Sequence, residues 1–100
     1  MPSLPSPPVT TPRYRIRESV LHTRLETESV LLDLDSGRYF SLNSVGSRIW
    51  DRLAEGPRTI DDLLFEITKE YEVSPEQAEP DLLALLQELV RHKLLEPTDP

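Results

Sequence analysis

The chain has 100 residues, 18 acidic and 11 basic, for a net charge of −7, and it contains no cysteine. That length supports one small domain, at roughly 100–200 residues per domain, and the missing thiols exclude disulfides, thiolate nucleophiles and most zinc or iron–sulfur sites. The acidic balance disfavours phosphate backbones as partners unless the basic residues are segregated.

Five of the first twelve residues are proline (Pro2, Pro5, Pro7, Pro8 and Pro12), with serine and threonine between them, a composition expected to be extended or disordered. The segment lacks the basic start and apolar run of a signal peptide. Nowhere does the chain approach the ~20 apolar residues that a membrane span needs, so a soluble, cytoplasmic protein is expected. Residues 1–17 are read as a disordered tail and lead-in, residues 18–96 as the folded domain, and residues 97–100 as a disordered end. Arg13, Arg15, Arg17 and Arg24 read as the solvated side of a first strand and its lead-in.

Ser19 to Leu25 is a strand candidate that ends at the polar Glu26-Thr27-Glu28. Val30, Leu32 and Leu34 then alternate with Leu31, Asp33 and Asp35. Asp35-Ser36-Gly37 supplies a turn before the Tyr39-Phe40 pair, which completes three antiparallel strands. Alternation predicts Val30, Leu32, Leu34, Phe40 and Leu42 on the buried face, with Leu31, Tyr39 and Ser41 on the other.

At Asn43 or Ser44 the period changes to 3.6, with Val45, Ile49 and Leu53 on one face and Trp50 beside it. Gly56-Pro57 stops that helix, with Gly56 suited to a left-handed C′ position. Thr59 and Asp62 resemble a capping box for a second helix with the stripe Ile60, Leu63, Leu64, Ile67 and Tyr71. Ser74-Pro75-Glu76-Gln77 opens a third, and Pro80 predicts a kink or a restart near Glu79.

From Asp81 to Leu95 the apolar stripe centres on Leu82, Leu85, Leu86 and Leu89 and is extended by Leu83, Val90 and Leu94. It covers about half the circumference, wider than the ~100° of a core-facing surface helix. Neighbouring helices and the sheet could bury it, or something outside the domain could cover one flank. If the Leu83 and Val90 flank lies beside the outer edge of the Arg38–Leu42 strand, the two form a groove suited to an extended peptide added as a strand.

Residues for catalysis are nearly absent. His22 and His92 have no metal-ligand spacing around them, the serines lack a nucleophile elbow, and Gly46 belongs to no phosphate-cradling loop. Asp33 and Asp35 read as a solvated face, and Asp61 and Asp62 as a helix N-terminus. No enzyme activity, cofactor or metal is expected. A DNA-binding winged helix is a rival reading, but Glu76, Glu79, Asp81, Glu88 and Glu96 outnumber Arg91 and Lys93 on the third helix and its end.

Leu32-Asp33-Leu34-Asp35-Ser36-Gly37-Arg38-Tyr39-Phe40-Ser41-Leu42-Asn43, Val45-Gly46, Ile49-Trp50, Tyr71-Glu72-Val73-Ser74 and Asp81-Leu82-Leu83-Ala84-Leu85-Leu86 together resemble the PqqD-like family, over about Val20 to Glu96. The resemblance implies an α+β, winged helix-turn-helix-like fold, a three-stranded antiparallel sheet packed on three helices. It implies that the leader of a precursor peptide adds as a strand beside the third strand, against the third helix. The implied binding residues are Arg38, Tyr39, Phe40 and Ser41 on the strand. On the helix they are Glu79, Leu83, Leu86, Gln87 and Val90, a set drawn partly from the helical wheel.

The implied function is non-catalytic capture of a leader in a ribosomally made, modified-peptide pathway. The lasso-peptide type is favoured, with a leader-processing protease or other modifying enzyme as partner. A peptide chaperone for a radical enzyme in quinone-cofactor biosynthesis is the alternative. One departure is Lys93, where family members often carry glycine.

Overall fold

The computed structural model describes residues 12–98, so residues 1–11 and 99–100 of the expected tails lie outside the described residues. The elements are β1 (Arg13–Ile16), β2 (Val20–Leu25), β3 (Glu28–Asp33), β4 (Arg38–Leu42), α1 (Ser44–Glu55), α2 (Ile60–Tyr71), α3 (Pro75–Arg91) and β5 (Leu95–Thr98). β2, β3 and β4 form one antiparallel sheet in that order, and β1 pairs with β5 in a second. The architecture is the α+β arrangement expected, with one addition. Arg13–Ile16 and Leu95–Thr98, which the sequence left largely to the unstructured ends, pair along Arg13↔Thr98 to Ile16↔Leu95. Neither strand shows the pattern alone, because each is four residues long and is completed by a partner some 80 residues away.

The helix boundaries follow their caps. Asn43 Oδ1 accepts from Gly46 N at 2.8 Å, and a side chain at Gly46 would crowd both Asn43 Oδ1 and Leu42 at 3.3 Å. Thr59 and Asp62 close a reciprocal capping box, both bonds 3.1 Å, and the peptide-bond donation to Asp62 is the main reason its carboxyl lies below the usual range. Ser74 and Gln77 form a second box at 3.2 and 3.4 Å. Gly56 ends α1 at φ 155 and ψ 170, a positive-φ conformation open essentially to glycine alone but not the αL one expected.

The helix α3 continues as one element through Pro80. Proline removes one i→i−4 bond there, and on this exposed turn water can reach the freed Glu76 carbonyl. The end of α3 explains the departure at Lys93. Leu94 N donates to Leu89 O (2.9 Å) and Lys93 N to Val90 O (3.0 Å), the bonding pattern of a Schellman cap, which needs a left-handed residue at its C′ position. Lys93 supplies it at φ 61, where glycine would be free of strain. The accompanying apolar contact is made by Leu94 and Leu89, both buried.

The buried face of the hairpin differs from the alternation forecast. Leu31 is fully buried and pairs with Phe40, and Ser29 pairs with Leu42. Val30 and Leu32 are half-buried, and Leu34 is 57% exposed. Phe40 and Leu42 were placed on the correct face, but Leu31 takes the core position assigned to its neighbours. The reason is the turn: Asp33 pairs with Arg38, so an even number of residues lies between them and odd positions of β3 face even positions of β4.

Asp33 is likewise buried, contrary to the solvated face expected for it. It accepts from Ser36 Oγ at 2.8 Å and from Asp35 N at 3.1 Å, and the Ser36 bond chiefly holds its carboxyl below the ordinary range. A carboxylate satisfied this way can tie down a turn from the inside.

Candidate functional site

Which main-chain groups of the sheet remain free follows from the ladder. Leu34 N donates to Ser19 O at 2.8 Å, and β2 and β3 meet at a two-residue turn between the paired Leu25 and Glu28. A central antiparallel strand bonds alternately to its two neighbours, so Val30, Leu32 and Leu34 bond towards β2, while Ser29, Leu31 and Asp33 bond towards β4. Their partners Leu42, Phe40 and Arg38 are thereby occupied. The N–H and C=O of Tyr39 and Ser41 point the other way, along an edge that no described strand covers.

The C-terminal end of helix α3 meets β4 on the inner face of the sheet. The Phe40 ring lies 5.0 Å from the His92 ring, and His92 Nε2 is 3.3 Å from Glu88 Oε2. At ~100° per residue, Asp81, Leu85 and Glu88 fall within about 40° of His92 around the helix. Leu83 and Val90 fall about 160–180° away.

At the α1 end of the groove a cavity of about 710 Å³ opens between Val45 and Ile49 of α1, Tyr71 and Val73 at the end of α2, and Ala78 and Leu85 of α3. Asn43, Gln77 and Asp81 supply its polar points.

The structure brings some of the forecast site together. Tyr39 is 71% exposed, Arg38 and Ser41 are exposed, and Phe40 is half-buried against His92. Leu86 is in the core at 2% exposure. Leu83 and Val90 are half-buried on the flank turned away from His92, and Glu79 and Gln87 are exposed. Leu85, Asp81 and His92, which stand on the β4 side, were not picked as binding residues. Their signal was present as the seven-residue spacing Leu85–His92 beside Asp81–Glu88, which marks one helical flank.

The other side of α1 is filled with charge pairs. Arg48 pairs with Glu70 and approaches Asp51 at 3.9 Å, and Arg24 of β2 also pairs with Asp51. Arg52 reaches Glu55 at 2.9 Å and Glu66 at 3.5 Å. The hydrogen bond from Arg48 is the main reason the Glu70 carboxyl lies below its ordinary range, and the same contact raises Arg48.

Residues 28–95 match the family described as coenzyme PQQ synthesis protein D. Two solved structures are similar. TbiB1 in complex with the TbiA(beta) leader peptide is 37% identical, covers 86% of this chain and 99% of its own, and superposes with a TM-score of 0.78. A lasso peptide synthetase B1 complexed with the leader peptide is 33% identical, covers 84% and 98%, and has a TM-score of 0.72. Among curated proteins none matches. Since the family match spans most of the folded part, from β3 to the start of β5, the chain belongs to the PqqD family.

Proposed function

We propose that this protein is a non-catalytic leader-binding subunit of a lasso-peptide-type pathway. In the cytoplasm it captures the leader of a precursor peptide by strand addition and delivers it to a leader-processing protease. The observation that carries this reading is the pair of outward-facing main-chain units at Tyr39 and Ser41 beside the α3 cleft. An added strand gains hydrogen bonds from those units, and its alternate side chains enter the cleft. The two relatives with leader peptides bound support the same reading. No helix among the described residues is long and apolar enough to cross a membrane.

The family description favours a second reading, the peptide chaperone of quinone-cofactor synthesis. The identity of the two leader-bound structures favours the first.

Calorimetric titration of leader peptides from both pathway types into the purified chain separates the two readings. Saturable binding of the lasso-type leader alone is expected, and binding of neither type refutes leader capture. With a bound leader, Leu85→Glu should weaken affinity more than tenfold, about 1.4 kcal/mol, while Leu83→Glu changes it little. The reverse order would move the peptide to the other flank of α3.

A further inference from the structure

We infer that the groove selects a peptide carrying a lysine or arginine among its cleft-facing side chains, and that Asp81 is the residue that selects it. This rests on the strand-addition reading and adds the chemistry of the occupant.

The walls of the cavity between α1, α2 and α3, which begins at Asn43 directly after β4, are mostly apolar, and its polar points differ in how far they are committed. The Asn43 side-chain oxygen caps α1 through Gly46 N, and the Gln77 side-chain oxygen caps α3 through Ser74 N. Asp81 makes no side-chain hydrogen bond or ion pair among the described residues, and no lysine or arginine lines the cavity. The nearest cations along α1, Arg48 and Arg52, are committed to carboxylates on α1 and α2. One turn beyond Leu85 on the same flank, Glu88 adds a second carboxylate, which faces His92 and Arg91. The lining of the cavity therefore carries one uncommitted carboxylate, Asp81, and no lysine or arginine, in a chain of net charge −7.

The ladder fixes which side chains of an added strand meet this charge. Residues that bond to Tyr39 and Ser41 point to the outer face with those side chains. Residues opposite Phe40 and Leu42 point into the cleft. The position opposite Leu42 lies where the strand runs into Asn43 and Val45, at the mouth of the cavity. A long basic side chain there lays its methylene stem on Val45 and Leu85 and keeps its charged head at the rim on Asp81.

The test uses the full chain and a phage library of random peptides of about 14 residues, long enough for a strand of ~6 residues with flanks. Selected binders should converge on a sequence with lysine or arginine at one fixed position. A synthetic peptide of that consensus should lose about fivefold in affinity for Asp81→Asn, the upper range for an exposed ion pair. The Asp81→Lys chain should select an acidic residue at the same position. Binders with no basic position, or an unchanged selection by Asp81→Lys, overturn the inference while leaving strand addition in place. If no binder emerges, or if Ser41→Pro leaves binder affinity unchanged, strand addition itself fails and the inference falls with it.

Discussion

On its α2 side, helix α1 meets Leu63 and Ile67 under a lid of ion pairs, Arg48 to Glu70 and Arg52 to Glu66. On its α3 side it meets Ala78, Asp81 and Leu85 across an open cavity, with the unpaired edge of β4 alongside. The first cleft is complementary to itself, since apolar residues close its floor and each carboxylate at its rim has an arginine. The second has an apolar floor, an uncommitted carboxylate and free main-chain groups, left to water or to a partner from outside the domain. In a small domain with few residues to spare, this difference separates a part closed on itself from a part left open to a partner.

The difference can be broken most strongly from the closed side. Leu63 is 1% exposed, and Leu63→Ala should cost about 2–5 kcal/mol of stability, read by urea unfolding. Peptide affinity per folded molecule should stay unchanged, and a parallel loss of affinity would mean that the two clefts are coupled.

On the open side, Ser41→Pro deletes an outward N–H that the sheet does not use, a position where an edge strand accepts proline. It should weaken peptide binding by ~1–3 kcal/mol, the cost of leaving a carbonyl unpaired, and leave the melting temperature nearly unaltered. Ser41→Ala, measured by the same titration, should bind normally.

The smallest effect is electrostatic. Glu70 titrates below the ordinary glutamate value of 4.5 because Arg48 donates to it. A depressed carboxylate pKa contributes stability that is fully present above the ordinary value and is lost as pH falls through the lower folded one. The chain should therefore be slightly more stable than Glu70→Gln at neutral pH, and denaturant unfolding should show the gap closing below about pH 4.5. A gap that persists in acid would show that the pair contributes through packing.

How far the sequence disclosed this molecule depended on whether the signal was local. Caps at Asn43, Thr59 and Ser74 were legible because each is decided within four residues. The outward position of Tyr39 and the inward position of Phe40 followed from alternation within one strand. The burial of Leu31 in place of Val30 and Leu32 did not, because it depends on the number of residues in a turn whose ends the sequence leaves ambiguous. The strands β1 and β5 were missed for the same reason on a larger scale, since they exist only as a pair. On α3 the wide leucine stripe hid which flank faces β4. The wheel shows two apolar flanks, and only the contact between Phe40 and His92 tells them apart.

The most direct measurement is backbone amide hydrogen exchange along β4, with and without a saturating leader peptide. In the free protein Tyr39 and Ser41 should exchange fast while Phe40 and Leu42 are protected by β3. With peptide bound, Tyr39 and Ser41 should slow by at least ~100-fold, as expected for amides newly held in a stable ladder. Tyr39 and Ser41 amides that stay fast under saturating peptide would contradict strand addition at this edge.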